Sequence, residues 1–312
     1  MKIAFIFPGQ GSQYVGMGKS LYDHFDIIKD YYDKADKTLG YSLKNLMFEG
    51  PKEELTLTYN AQPAILTMSI AVLELVKSKI DIEPLVCMGH SVGEYSALVA
   101  AGAISFEEAV YAVRKRGEAM QAAVKPGEGT MAAIIGADEL AIKQSLTQAQ
   151  ASVGGIAEIA NYNSPEQIVI AGNSITVEKA MSLLHATGAK LVKKLEVSAP
   201  FHSSLMSPAV PVMEKVLQDI SFKNTKCPVI FNVDAQPHSL ADDMYPLLLK
   251  QIASSVRWTD TILYAIKHGV DTFIEMGPGN VLTRLVKRIN QSVKFINVND
   301  ETTLERLYAA VQ

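Results

Sequence analysis

Gly89-His90-Ser91-Val92-Gly93 stands between the apolar run Pro84-Leu85-Val86-Cys87-Met88 and a helix-forming stretch from Glu94 to Ala101. A short buried strand running straight into a helix puts Ser91 on the sharp turn between them, the shape of a nucleophile elbow. The helix N-terminus there aims unpaired N–H groups at any negative charge forming beside the serine oxygen. Glycine at both ends would let the backbone turn tightly and a substrate come close. The same spacing also suits a serine that only caps the helix. A serine hydroxyl is a poor nucleophile until a base takes its proton, so a reactive Ser91 needs a histidine within reach. Of the six histidines, His24, His185, His238 and His268 lie in segments that read as exposed helix or loop. His90 adjoins the serine on a turn, where neighbouring side chains diverge. His202, in Ser198-Ala199-Pro200-Phe201-His202-Ser203-Ser204-Leu205-Met206, lies where the chain leaves one predicted unit for another, a natural cleft.

The elements that must hold these residues alternate in type. Ile3 to Phe7 reads as a buried parallel strand followed by the loop Pro8 to Gln13, and Ala64 to Val76 as a long apolar helix leading to the strand before Ser91. Ser105 and Glu108 have capping-box spacing. Phe106, Ala109, Val110, Val113, Gly117 and Met120 then recur at helical intervals. After the Pro/Gly stretch at 125–129 the pattern changes. Met131 to Ile135, Ile156 to Asn161, Gln167 to Ala171 and Lys190 to Val197 read as strands, with helices at Glu139 to Gln148 and Val177 to Ala186. That βαββαβ order is ferredoxin-like. Pro228 to Asn232 and Asp271 to Glu275 return to the strand pattern, and Gly277-Pro278-Gly279 precedes a helix from Asn280 to Ile289. The expected fold is therefore α/β. A discontinuous large domain (1–124 and 199–312) with a mostly parallel sheet carries an inserted ferredoxin-like subdomain (125–198).

Composition narrows the function classes. A net charge of −4 without a basic run argues against nucleic acid, and no apolar stretch approaches membrane-spanning length. Cys87 and Cys227 are the only cysteines and no Cys/His cluster occurs, so neither a disulfide framework nor a metal site is expected, and a cytoplasmic setting is. Gly9-Gln10-Gly11 could suggest a dinucleotide loop, but Tyr14 stands where the last glycine of that motif belongs.

Six motifs resemble the malonyl-CoA:acyl carrier protein transacylases in order and approximate spacing. They are Phe7-Pro8-Gly9-Gln10-Gly11-Ser12-Gln13, Gly89 to Leu98, Arg114-Lys115-Arg116-Gly117, Asn161-Tyr162-Asn163-Ser164-Pro165, Pro200 to Met206 and Gly277-Pro278-Gly279. The likeness implies an α/β-hydrolase-like large domain beside a ferredoxin-like small one. It also implies transfer of malonyl from malonyl-CoA to the phosphopantetheine thiol of acyl carrier protein through an ester on the enzyme, without a cofactor and from a monomer. By that resemblance Ser91 is the nucleophile, His202 its base and Gln251 the residue whose neighbourhood orients the histidine. Gln10 and the N–H of Val92 form the oxyanion hole. Taken alone, Gln251 reads as a helix-surface residue. Malonyl selection calls for a fixed arginine fork. Arg114 and Arg116 both flank the apolar stripe of their helix and periodicity does not choose between them; the resemblance selects Arg116, against an arginine that merely snorkels along the core edge. Phe201 matches the malonyl-selecting form of its motif. Val92 stands where fatty-acid enzymes more often have Leu, which leaves a polyketide pathway open. Lys193, Lys194, Lys287 and Arg288 are candidates for a basic rim facing an acidic carrier.

Two rival readings make different demands. An acyl-thioester serine hydrolase would pair Ser91 with a late histidine such as His268 and with Asp234 or Asp260. A non-catalytic carrier-protein docking module would keep the fold and dispense with Ser91, His202 or Arg116.

Overall fold

The computed structural model describes residues 1–311. Ten strands follow one another along the chain: β1 (Ile3–Phe7), β2 (Val86–Gly89), β3 (Gly129–Ile135), β4 (Ala157–Ser164), β5 (Gln167–Asn173), β6 (Leu191–Lys194), β7 (Val229–Ile230), β8 (Pro237–His238), β9 (Thr272–Met276) and β10 (Lys294–Val298). They form a six-stranded sheet in the order β10-β9-β1-β2-β7-β8 and a four-stranded sheet in the order β4-β5-β3-β6. The larger is parallel except for β7 against β8. The smaller is antiparallel throughout, the ferredoxin-like arrangement.

Every residue of β1 is buried because both faces of the parallel sheet are covered. Strand alternation divides its side chains between two cores. Ile3, Phe5 and Phe7 join the helix Thr58–Lys79 on one side, while Ala4 and Ile6 meet Trp258, Ile262 and Leu285 on the other. In the smaller sheet, Ala132, Ile134 and Ile170 pack under the helices Glu139–Val153 and Ser174–Ala186. Met131, Ala133, Val169 and Ala171 on its opposite face belong to the main core. That second face makes one wall of a cleft. The junction is stitched where the N–H of Tyr162 donates to the carbonyl of Val256 (2.9 Å) and that of Val256 to Ala160 (2.9 Å).

Several elements differ from expectation. The apolar helix begins at Thr58, ahead of Pro63, where Ala64 was expected. Pro63 removes one helical donor, and the carbonyl it leaves, that of Tyr59, accepts from Arg114 Nη1 at 3.2 Å. Strand β6 ends at Lys194, whereas alternation suggested Val197; Leu195, Glu196 and Val197 line the cleft. Four helices before residue 58, together with β10 and the helix Glu301–Val311, had no strong pattern, yet Leu21, Ile28, Tyr32, Leu43 and Met47 carry the first group into the core.

Register then fixes the site. Phe7 is paired with Gly89, so the loop after β1 and the elbow after β2 emerge side by side at the carboxyl ends of the parallel strands.

Candidate active site

Ser91 turns between β2 and the helix Gly93–Ala100 with φ 53°, a left-handed conformation that side chains seldom adopt. Neither flanking glycine has a positive φ, so tight turning is not their role. A Cβ on Gly93 would overlap the Phe7 carbonyl and one on Gly89 the backbone of Gly93, so Gly93 lets the elbow pack closely on the end of β1 and Gly89 lets the elbow close on itself. Asn232, following β7, braces the turn from behind. Its Oδ1 accepts the Ser91 N–H (2.7 Å) and its Nδ2 donates to the Gly89 carbonyl (2.7 Å). Its own N–H donates to the buried Glu94 carboxyl at 2.6 Å.

The Ser91 hydroxyl does not cap the helix. Its Oγ lies 2.7 Å from His202 Nε2. On the other ring nitrogen, His202 Nδ1 is 3.1 Å from the Gln251 carbonyl, so Nδ1 carries the hydrogen and Nε2 is left to accept from the serine. His202 also has a positive φ, 59°. Burial, then the Arg116 charge, lowers its pKa to about 3, which keeps the imidazole neutral and in its basic form.

Arg116 reaches the same point from the helix Phe106–Ala122, whose capping box at Ser105 and Glu108 is intact. It is 1% exposed. Its Nη2 lies 3.3 Å from Ser91 Oγ and donates to Gln251 Oε1 (2.8 Å), and Nη1 donates to Gln62 Oε1 (2.9 Å). Arg114 instead points to Glu118, Tyr41 and Asn60, away from the cleft. Structure thus separates two arginines that periodicity had left equal. Gln251 is fully buried and no surface residue; besides its contacts to Arg116 and His202, its Nε2 donates to the Ser91 carbonyl at 3.0 Å.

The cleft encloses about 770 Å³ of space open to solvent, and Gln10, Ser91, Arg116, Phe201 and His202 all line it. Gln10 Nε2 donates to Thr58 Oγ1 (3.2 Å), which fixes the loop after β1. The backbone N–H groups of Gln10 and Val92 meet no acceptor among the described residues. His90, expected to diverge from the serine, binds Asn163 Oδ1 through Nε2 (2.8 Å) and forms a side wall. His238, expected exposed, is half-buried between Asp234 (2.9 Å) and Asp243 (3.3 Å). His268 is exposed and stacks on Tyr264, while Asp260 holds Arg257, so no late histidine and acid assemble at Ser91.

This arrangement sets a serine, a neutral imidazole held by a carbonyl, an unpaired guanidinium and two free N–H groups around one cavity. The matched family model is the acyl transferase domain, over residues 4–307. The chain is 52% identical to the malonyl CoA-acyl carrier protein transacylase of Bacillus subtilis (strain 168), covering 97% of this chain and 95% of that protein. It is 40% identical to the protein of that name from Escherichia coli (strain K12), covering 97% of each. The chain belongs to this transacylase family. Among solved structures, an acyl carrier protein S-malonyltransferase from Vibrio cholerae superposes with a TM-score of 0.95 at 41% identity, over 98% of this chain and 100% of that one. A type II PKS acyl-carrier protein in complex with its malonyl-transacylase gives 0.96 at 40% identity, over 99% and 100%.

Membership does not by itself reveal Gln62, Glu94, Asn163 or Asn232, which sequence reasoning assigned no role. Glu94 and Asn163 lay inside quoted motifs. A polar residue buried within an apolar run was the available signal for Gln62 and Asn232. No cluster of three or more His, Cys, Asp or Glu among the described residues could hold a metal, and no helix among them is long and apolar enough to cross a membrane.

Proposed function

We propose that this chain transfers malonyl from malonyl-CoA to the phosphopantetheine thiol of acyl carrier protein, through an ester on Ser91. The observation that carries the proposal is the convergence on one hydroxyl, with His202 Nε2 at 2.7 Å and the Arg116 guanidinium at 3.3 Å. His202 takes the Ser91 proton as Oγ attacks the thioester carbonyl. As the tetrahedral intermediate collapses, the same proton goes to the sulfur and CoA leaves as a thiol. In the second half a phosphopantetheine thiol gives its proton to His202, attacks the ester and returns Ser91. The Gln251 carbonyl does the orienting that a carboxylate does in other serine enzymes. The free N–H groups of Gln10 and Val92 would hold the oxyanion, where one lost donor costs about 3 kcal/mol.

Arg116 makes its hydrogen bonds to neutral oxygens only. Burial raises the Glu94 pKa to about 8, so this neighbouring acid is mostly protonated at neutral pH and the guanidinium is left uncompensated. A malonyl carboxylate supplies the missing charge through a two-pronged pair. It also cancels part of the field that lowers the His202 pKa, so the base strengthens when the right substrate arrives. Phe201 supplies an apolar wall against a branched acyl chain. Every acid, base and electrophilic group in this scheme comes from the chain, and no cofactor is needed.

The carrier's arm would enter between the two sheets, with residues 125–198 acting as a distinct smaller subdomain. Of the four basic rim candidates, Arg288 lines a groove that shares Gln10, His90 and Asn163 with the cleft. Lys194 is paired with Glu178, and Lys193 and Lys287 are exposed. The transfer is tested by mixing the protein with isotope-labelled malonyl-CoA and weighing it intact. An adduct of malonyl mass, absent in Ser91→Ala and discharged by carrier protein, is expected. No adduct, or one that water discharges as fast as the carrier does, would overturn the reading.

A further inference from the structure

The chain's only two cysteines, 140 positions apart, meet with their sulfurs 3.5 Å from each other. Cys87 is fully buried in β2, and Cys227 is half-buried just before β7. The transfer scheme uses neither. The backbone already joins the two segments, since the Cys87 N–H donates to the Pro228 carbonyl at 3.0 Å. Both segments run on to the elbow. β2 delivers Ser91, and β7 delivers Asn232, which holds the Ser91 N–H at 2.7 Å. A covalent link between the cysteines would therefore tie together the two strand segments whose alignment sets the nucleophile.

We propose that Cys87 and Cys227 are a peroxide-sensitive dithiol that closes to an intramolecular disulfide and slows transfer while closed. The two sulfurs have unequal roles. A hydrogen bond from Cys87 and the nearby Lys77 charge lower the Cys227 pKa, outweighing its partial burial, whereas its contact with Cys227 and full burial raise that of Cys87. Glu83 acts against Lys77 at both sulfurs. The more accessible, more acidic thiol is the one that oxidants attack first. The Cys227 thiolate attacks a hydroperoxide oxygen, the O–O bond breaks, and the leaving hydroxide takes a proton to form water. The resulting sulfenic acid loses a second water when the Cys87 thiol, giving up its proton, attacks the Cys227 sulfur. Two thiols and one hydrogen peroxide thus give one disulfide and two waters, and a dithiol reductant reverses the change.

The slowing of transfer rests on the proposed function, whereas the disulfide does not. The full-length protein is reduced, freed of reductant, treated with hydrogen peroxide, alkylated with N-ethylmaleimide after unfolding and weighed intact, with malonyl transfer measured on the same samples. The expected product has lost two hydrogens and takes up no label. Its kcat is lowered about tenfold or more, within the range of an ångström-scale misplacement, and dithiothreitol restores both properties. In Cys87→Ala, oxidation should stop at a Cys227 sulfenic acid trapped by dimedone. Cys227→Ser should keep its remaining thiol and its full rate in peroxide. Two labelled thiols after peroxide, or a link between chains, would overturn the disulfide; a disulfide with unchanged kcat would overturn its effect on transfer. If the reduced protein transfers no malonyl, the proposed function fails while the mass still decides the disulfide.

Discussion

Arg114 and Arg116 leave the same helix two positions apart and end in opposite electrostatic surroundings. Arg114 has an acid partner: its Nε donates to the Glu118 carboxylate (2.7 Å), its Nη1 to Tyr41, Asn60 and the Tyr59 carbonyl, and its guanidinium lies 4.6 Å from the centre of the Tyr59 ring. Arg116 is more deeply buried, has no ion pair, and leaves its Nε without a partner among the described residues. A buried cation held only by amides and a hydroxyl is expensive to the folded state unless an anion joins it. Both arginines tie helices together, but only Arg116 is left without an acid partner, which under the proposed function holds it ready for a carboxylate.

The largest effect should come from removing the arginine that has no acid partner. Arg116→Ala is expected to lower kcat/KM for malonyl-CoA by about two to three powers of ten, the loss that follows when a buried pair of about 3–5 kcal/mol is broken. Acetyl transfer, which needs no such partner, should fall far less, so the ratio of the two rates is the measurement. Equal losses for both acyl groups would erase the distinction drawn between the arginines. Arg116→Lys sharpens it by keeping the charge and losing the fork. One charge-assisted hydrogen bond fewer predicts a loss of about ten- to a hundredfold in the same ratio.

Glu94 provides the next test, because its protonation is what leaves Arg116 uncompensated. Its folded pKa is about 8 against an ordinary value of 4.5, so the native chain holds a proton that the unfolded chain releases. That stabilisation is complete below about pH 4.5 and is lost as pH rises through 8. His202 works in the opposite sense. Its pKa is depressed from 6.5 to about 3, so its contribution is complete above 6.5 and lost as pH falls towards 3. Between pH 6.5 and 8 only the Glu94 effect of these two remains. Wild-type stability should decline there by something on the order of 2 kcal/mol, and Glu94→Gln should flatten the decline. Urea unfolding at several pH values reads this directly, and parallel slopes in the two proteins would rule out a neutral Glu94.

Much of this contrast was illegible in one dimension. The elbow could be read because an apolar run gives way to a helix around glycines, and the βαββαβ unit because its periodicity switches repeatedly between two and three to four residues. Arg114 and Arg116 could not be ranked, since both flank the stripe that their helix buries and the decision lies with partners on other elements. Asn232 and Gln251 meet Ser91 from 141 and 160 positions away, and nothing local marks them. Gln251 was found through family resemblance, and Asn232 was not found at all. Glu94 was visible within its motif, but its neutrality depends on burial that only the folded chain reveals.

The smallest effect should come from Arg114. Truncating it removes an ion pair whose side chains are 22% and 37% exposed, so solvent screening limits that part to a fraction of a kcal/mol. It also leaves the Tyr59 carbonyl, freed by Pro63, without its donor. Arg114→Ala should therefore cost about 1–2 kcal/mol of stability, most of it from the unsatisfied carbonyl. The malonyl-to-acetyl ratio should not move, because no atom of Arg114 meets Ser91, His202 or Gln251. Gly117 gives this prediction a control on the same helix. A Cβ there would stand 2.5 Å from the Tyr59 Cα and push apart the helices that both arginines bridge. Gly117→Ala should thus lower stability and disturb the ratio together, whereas Arg114→Ala lowers stability alone. A change of ratio in Arg114→Ala at unchanged Arg116 would mean that the outer arginine, too, belongs to the site.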